Sequence, residues 1–396
     1  MRVSFSRPRV IAAASIGLVV VALTLGILLP PKPSSGASNA LAAGSPQLLI
    51  SAYADDASTL WLVDPDDTQV RQHLFPVSHA AGWALDGAVS PAGDRLAVLV
   101  LPPGGSDPST DTQLLLSNGG EPRLLAGGLD LRGGLAWSGD GSFLFVRRAT
   151  SGDGAPDETG RAGSSRAISA LIEVSADDGR TRVLAQRSDA GGLYPVGRPI
   201  GGATYAVAVG VGGSTLLTID ATVRERPLSP VVTRDWSLSP DGRALAYTEQ
   251  RGLALQVRVA RLDDLMLLEP AGLTPAGVES AGLEPAGLEA AGGGTETIDD
   301  WSASPVWRPD GDLSIGGAGG SPAVAGVVEG GTPASDGFVL PVAWSAGGAY
   351  LALRSFDGRG PGDAGLEHAA VRGADGETQS VQGEHVRILG WWNAAD

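Results

Sequence analysis

Three observations predict an all-β fold for this 396-residue chain. Glycine (58) and proline (27) are abundant beside frequent Val, Leu and Ala, a composition suited to many short strands joined by turns. The phrase WSLSPDGRALAY at 236–247 returns in worn copies along most of the chain. Each copy heads a unit with room for four strands in about 45 residues. Together they predict a seven-bladed β-propeller over residues 47–396, its last blade closed by N- and C-terminal strands, preceded by one N-terminal transmembrane helix.

The N-terminus comes first. Residues 10–29, VIAAASIGLVVVALTLGILL, carry no charge. At ~1.5 Å per residue they reach ~30 Å, one hydrocarbon core. Arg2, Arg7 and Arg9 precede them and only Lys32 follows closely. The positive-inside rule therefore places residues 1–9 in the cytoplasm, 10–29 across the membrane and the rest outside. Residues 30–46, PPKPSSGASNALAAGSP, read as a flexible tether. The alternative is secretion after signal cleavage near Ala42, where ALA has the small-x-small form. The apolar stretch is long for a signal core, so an uncleaved anchor is the expectation.

The repeat is aligned on the residue four before the turn glycine. Copies begin at Val89, Trp137, Leu238, Trp307 and Trp344, with a truncated one at Trp391. The intervals are 48, 101, 69, 37 and 47 residues. The longest is two periods, which predicts a hidden copy near 197–207, GRPIGGATYAV. The interval of 69 holds the insert 268–292 and matches the others without it. In each copy a strand ends at the Trp, Ser-Pro-Asp-Gly makes the turn and an apolar strand follows. Pro presets φ, Asp bonds back to the backbone, and Gly takes positive φ at no steric cost. TQLLLSNGGEPRLLAG (112–127) and ALIEVSADDGRTRVLAQ (170–186) read as the hairpins that complete their blades.

The last copy has almost nothing after it, and the first strands, 47–53, 58–64 and 69–75, have no copy before them. Pairing 385–392 with 47–53 completes the ring and leaves no unpaired edge.

These phrases resemble the WD-like propeller repeats of the TolB family, whose typical form is Trp-Ser-Pro-Asp-Gly followed by Leu-Ala-Tyr. The likeness covers residues 47–396 and is sharpest at 236–247. It implies a bacterial, extracytoplasmic propeller. TolB proteins carry a small α/β domain ahead of the propeller and are soluble in the periplasm. Here the anchor and tether take that place, so the resemblance is to the propeller without the TolB N-terminal domain.

The insert, LEPAG-LTPAG-VESAG-LEPAG-LEAAG at 268–292, has Pro or Gly in every unit and reads as a surface loop. The stretch 150–165 reads the same way.

The formal charge is −16. Arg2, Arg7, Arg9 and Lys32 are the only charged residues before position 43, so 24 basic groups face 44 acidic ones in the remainder. Such a surface repels phosphate backbones, and no nucleic-acid partner is expected. With no cysteine, disulfides, thiolate metal sites and cysteine nucleophiles are excluded.

The search for chemistry yields no catalytic, cofactor or metal residue. There is no G-x-S-x-G elbow. His73, His79, His368 and His385 have no metal-ligand spacing. His73 and His79, six apart across an expected loop, read as exposed loop histidines, with a shared site as the alternative. Asp64, Asp66 and Asp67, and Asp153, Asp157 and Glu158, lack the regular calcium-loop pattern and read as loop carboxylates. Asp140, Asp241 and Asp310 repeat inside the turn phrase, which marks them as structural. Trp137, Trp307, Trp344 and Trp391 recur at one repeat position and are expected to pack between blades. A carbohydrate platform is the functional alternative for the nine tryptophans as a set, of which Trp61, Trp83 and Trp301 are the less committed.

The expected function is a non-enzymatic, membrane-anchored extracytoplasmic scaffold binding a protein partner or ligand at one propeller face, with no cofactor. The alternatives are an extracytoplasmic hydrolase or lactonase with its site in the central channel, and an accessory subunit of a membrane sensor. Three or more carboxylates or imidazoles meeting at one point of the channel would favour an enzyme.

Overall fold

Strand residues that are buried on both sides need a neighbour on both sides, and the arrangement supplies one. The computed structural model describes residues 44–151, 167–188, 191–251, 254–262, 302–318, 323–325, 337–358, 364–383 and 385–393. The chain divides into two units, Met1–Ala40 and Leu41–Asp396, and every described residue belongs to the second.

Its strands form antiparallel sheets around a central channel. The first sheet holds β1 (Pro46–Tyr53), β2 (Ala57–Val63) and β3 (Arg71–Ser78). The second holds β4 (Asp86–Val89), β5 (Leu96–Val100), β6 (Thr112–Ser117) and β7 (Arg123–Leu129). The third runs β8 (Leu135–Trp137), β9 (Phe143–Ser151), β10 (Ala167–Ser175) and β11 (Thr181–Arg187). The fourth is β12 (Gly192–Gly197), β13 (Thr204–Gly210), β14 (Gly213–Ile219) and β15 (Val223–Ser229). The fifth contains β16 (Thr233–Leu238), β17 (Ala244–Arg251) and β18 (Ala254–Arg261). The sixth combines β19 (Ser302–Trp307), β20 (Leu313–Ala318), β21 (Ala323–Ala325), β22 (Phe338–Trp344), β23 (Leu351–Phe356), β24 (Glu367–Arg372) and β25 (Thr378–Val381). The hidden copy is the turn between β12 and β13.

The last strand, β26 (Val386–Asn393), returns to the first sheet, whose order is β26-β1-β2-β3. Its register on β1 runs from Pro46↔Asn393 to Ala52↔Val386, with a bulge after Leu49. The termini therefore close the ring.

The expectation of seven blades is corrected to six. Gly317↔Val339 and Ala318↔Phe338 pair β20 with β22, so two copies of the turn phrase share one seven-stranded sheet. The cause is local. A Cβ on Gly316 would stand 2.5 Å from the carbonyl oxygen of Val339. Glycine at that position removes the side chain that would hold β20 and β22 apart.

The cores lie between sheets. In β5, Leu96, Val98 and Val100 pack toward the first sheet, and Ala97 and Leu99 toward the third. In β13, Ala206 and Ala208 face the third sheet, and Tyr205 and Val207 the fifth. This two-sided burial explains why these strands read as unbroken apolar runs rather than as an alternation.

Three of the four repeated tryptophans join neighbouring blades as expected. The indole N–H of Trp137 donates to the carbonyl of Ala88 at 3.0 Å, that of Trp307 to Ser237 at 3.0 Å and that of Trp391 to Ala343 at 2.9 Å. Each acceptor immediately precedes the aligned residue of the previous copy. Trp344 donates instead to Ser314 Oγ, at 3.1 Å.

The turn phrase is a closed polar unit. Ser239 Oγ donates to Asp241 Oδ1 at 2.6 Å and accepts from the Ala244 N–H at 2.9 Å. Asp241 Oδ1 also accepts from the Arg243 N–H at 3.0 Å. Ser138, Asp140, Ser142 and Phe143 repeat the pattern. These bonds, first those from Ser138 and Ser239, hold the Asp140 and Asp241 carboxyls below the usual carboxylate range. Asp310 accepts from the Asp312 N–H at 3.3 Å in its own turn.

A depressed folded pKa contributes stability that is fully present above the unfolded value of about 3.9 and is lost as pH falls through the folded value. Asp241→Asn is therefore expected to lower the unfolding midpoint slightly at pH 7 and to flatten its decline below about pH 4. Urea titrations across that range check this, and an unaltered acid limb would contradict it.

Residues 1–9, the expected transmembrane stretch 10–29 and residues 30–43 of the tether lie outside the described residues. So do the insert 268–292, positions 152–165 of the second loop (with Asp153, Asp157 and Glu158) and Trp301. Among the described residues no helix is long and apolar enough to cross a membrane.

Candidate functional site in the central channel

The first strand of every blade borders the channel. In the larger part, a cavity of ≈ 1350 Å³, stand Asp235 and Trp236 from β16, Ser304 from β19, Pro341 from β22, and Arg387 beside His385 at β26. Arg354, Glu367 and His368, from the loop-proximal ends of β23 and β24, line the same cavity. A smaller part of ≈ 600 Å³ is bordered by Trp83, Asp86, Arg132, Tyr194 and Pro195. Ala84, Asp235, Trp236 and Arg387 line both parts.

Most of the charges are paired. Arg387 Nη2 donates to Asp86 Oδ1 at 2.7 Å, and its Nη1 to the Leu85 carbonyl at 3.3 Å. Arg354 grips Glu367 with two bonds, 2.6 and 2.8 Å, a bidentate fork that raises the Arg354 pKa. Arg234 Nε lies 3.4 Å from Asp235 Oδ2. Arg132 is exposed and stacks over Trp83, its Cζ 5.9 Å from the ring. Tyr194 and Trp236 make a tilted ring pair 5.2 Å apart.

Trp236 behaves unlike the repeated tryptophans. It stands two residues ahead of the aligned position, and its indole donates to Thr233 Oγ1 of its own strand at 2.8 Å. The pairing of β16 with β17 shifts between Arg234 and Ser237, where Asp235 takes φ +55°. That bulge lies at the channel wall.

Behind the small cavity lies a buried ion pair. Arg147 Nη2 is 2.8 Å from Asp130 Oδ2, and Arg147 Nε donates to the same oxygen at 2.9 Å. The guanidinium packs on the Tyr194 ring at 4.8 Å. Gly133 and Gly192 make room for it, since a Cβ at either would come within 2.5 Å of Arg147. Asp130 Oδ1 also accepts from the Arg132 N–H at 2.9 Å, which orients the short helix Leu131–Gly133 at the cavity.

The expectation of exposed loop histidines is corrected for His79. It is buried, stacks on Tyr53 at 5.5 Å and bonds Ser58 Oγ at 3.0 Å through Nε2. His73 is exposed as expected but lies on strand β3 rather than in a loop, and meets the Trp61 ring edge-on at 5.2 Å. His368 and His385 both line the larger cavity. Asp64 and Asp67 cap their own turn by accepting backbone N–H bonds from Asp66 and Gln69. Asp66 accepts from the Tyr350 hydroxyl at 2.7 Å, which pushes that phenol up to about 12. Among the described residues no group of three His, Asp or Glu could hold a metal ion.

Sequence reasoning passed over Asp86, Arg132, Tyr194, Asp235, Trp236, Arg354, Glu367 and Arg387 as channel residues. For several of them a signal existed. Asp86, Asp235, Ser304 and Pro341 each stand three residues before an aligned position, and Arg387 stands four before Trp391.

No protein-family model matches the chain, and no curated protein matches it. Solved structures similar to it include TolB from Agrobacterium tumefaciens, at 13% identity and TM-score 0.42 over 87% of this chain and 99% of that one. TolB from Acinetobacter baumannii follows at 15% and 0.40, over 86% and 81%. Pyrococcus horikoshii acylaminoacyl peptidase gives 12% and 0.49, over 84% and 49%. The fold is a β-propeller, and two TolB proteins are among the solved structures similar to it.

Proposed function

We propose that the protein is a non-enzymatic binding scaffold whose recognition surface is the channel and the mouth bearing Leu366. One observation carries this reading. Among the described residues, the three non-glycine residues with left-handed backbone, Asp235, Ser304 and His385, all line the same cavity. Such conformations cost of the order of 1–3 kcal/mol each and collect at functional sites. The channel carboxylates support binding over catalysis, because Asp86 and Glu367 are each committed to an arginine. The uncharged stretch 10–29 supports attachment to the cell membrane with the propeller outside, the alternative being release by cleavage near Ala42.

The second reading, a channel hydrolase, draws on one contact. The Ala80 carbonyl lies 3.1 Å from His79 Nδ1 and can only accept, so Nε2 is free to accept from Ser58 Oγ at 3.0 Å. Ser58 borders the larger cavity but is itself buried, so this reading needs its hydroxyl uncovered before a substrate can reach it.

The test is site-specific photocrosslinking in native membranes with the full chain. A benzophenone side chain replaces Leu366 at the channel mouth or Leu124 on outer strand β7, both well exposed. A discrete adduct formed from position 366 and absent from 124 is expected. Equal labelling at both positions, or none at 366, would overturn the proposal.

A further inference from the structure

The small part of the channel combines aromatic rings with both signs of charge. The Tyr194 ring already packs on Arg147 and on Trp236, so the platform rests on Trp83 and Trp236. Trp83, Tyr194 and Trp236 border it, and Arg132, Arg387, Asp86 and Asp235 stand among them. Trp83 is absent from the inter-blade hydrogen bonds made by Trp137, Trp307 and Trp391, and the bulge at Asp235 and Trp236 removes Trp236 from that role. Two guanidiniums and two carboxylates make the wall electrically balanced. A polyphosphate would meet Asp86 and Asp235 in a protein of charge −16. A purely apolar ligand would strip water from four charged groups without replacing their hydrogen bonds. A pyranose ring satisfies both demands. Its C–H faces lie on aromatic rings, and its hydroxyls donate to carboxylates and accept from guanidiniums.

We propose that the pocket between Trp83, Tyr194 and Trp236 is a saccharide subsite, holding one sugar unit of an oligosaccharide that continues into the larger cavity. The inference rests on the channel being the recognition surface, and it specifies the chemistry recognised there. Asp86, already bonded through Oδ1 to Arg387, presents Oδ2 as an acceptor. Arg132 makes no ion pair among the described residues and is available to a ring hydroxyl or a uronate carboxylate. The volume of ≈ 600 Å³ lies in the range of small-molecule sites.

The test is saturation-transfer NMR on the full chain with neutral gluco- and chito-oligosaccharides in one arm and uronate-bearing oligosaccharides in the other. Transfer to the sugar C–H protons in either arm is expected, with affinity falling at least tenfold in Trp236→Ala and in Trp83→Ala and unchanged in Trp61→Ala. Loss of affinity for the uronate arm alone in Arg132→Ala would identify the acidic sugar as the ligand. Arg132 is exposed, so this variant also serves if an aromatic variant fails to fold. No transfer in either arm, or transfer that survives both Trp83→Ala and Trp236→Ala, would overturn the subsite. A crosslinked adduct at position 366 without saccharide binding would overturn this inference while leaving the scaffold reading intact.

Discussion

Truncation after Gly383 is expected to abolish the folded state. It removes β26, and with it Ile388, Leu389, Trp391 and Trp392, each less than a tenth exposed. At about 1.5–3 kcal/mol for each buried side chain, the loss rivals the ~5–15 kcal/mol that stabilises a typical protein. It also takes the Trp391 indole bond to Ala343 and opens β1 as an unpaired edge. Circular dichroism and a thermal scan check this. A truncated chain with an unchanged melting temperature would refute closure by the termini.

Asp130→Ala is expected to destabilise the protein by about 3–5 kcal/mol, the cost of leaving a buried charge without its partner. Asp130 and Arg147 are 6% and 8% exposed at their side chains, so solvent cannot replace the lost contact. The substitution also deletes the cap on the Leu131–Gly133 helix that holds Arg132 at the channel. The double variant Asp130→Leu/Arg147→Met is expected to be more stable than Asp130→Ala, because it removes both charges from the interior. Urea denaturation of Asp130→Leu, Arg147→Met and their double variant gives the coupling. Additive losses would show that the pair is not an energetic unit.

The ring was legible in the sequence because its determinants are local. Ser239, Asp241 and Gly242 specify a turn within a few residues, and Trp137, Trp307 and Trp391 recur because each meets the same backbone position of the preceding copy. Closure followed from a strand deficit at each end. The count of blades failed at Gly316–Gly317, because counting turn phrases does not reveal whether two adjacent strands approach closely enough to pair. The channel was less legible for a different reason. Asp86 and Arg387 are separated by 301 positions and form a pair only once the ring closes. His79 resembled a loop histidine until β1 and β2 enclosed it. Trp236 stands two residues ahead of the aligned position, and only the bulge at Asp235 shows that this displacement brings it to the channel wall.

Ring closure in a stated register underlies every placement in the channel, and a disulfide tests it most directly. The chain has no cysteine, so Ala52→Cys/Val386→Cys introduces a single possible pair. These residues face each other across β1 and β26. Antiparallel partners lie within the Cα separation that a disulfide spans, roughly 4.4–6.8 Å. Mild oxidation of the folded double variant is expected to give a monomeric crosslink joining the peptides around 52 and 386, with none in Ala52→Cys/Val223→Cys. A crosslink absent from the first pair, or present only between separate chains, would contradict the closed ring.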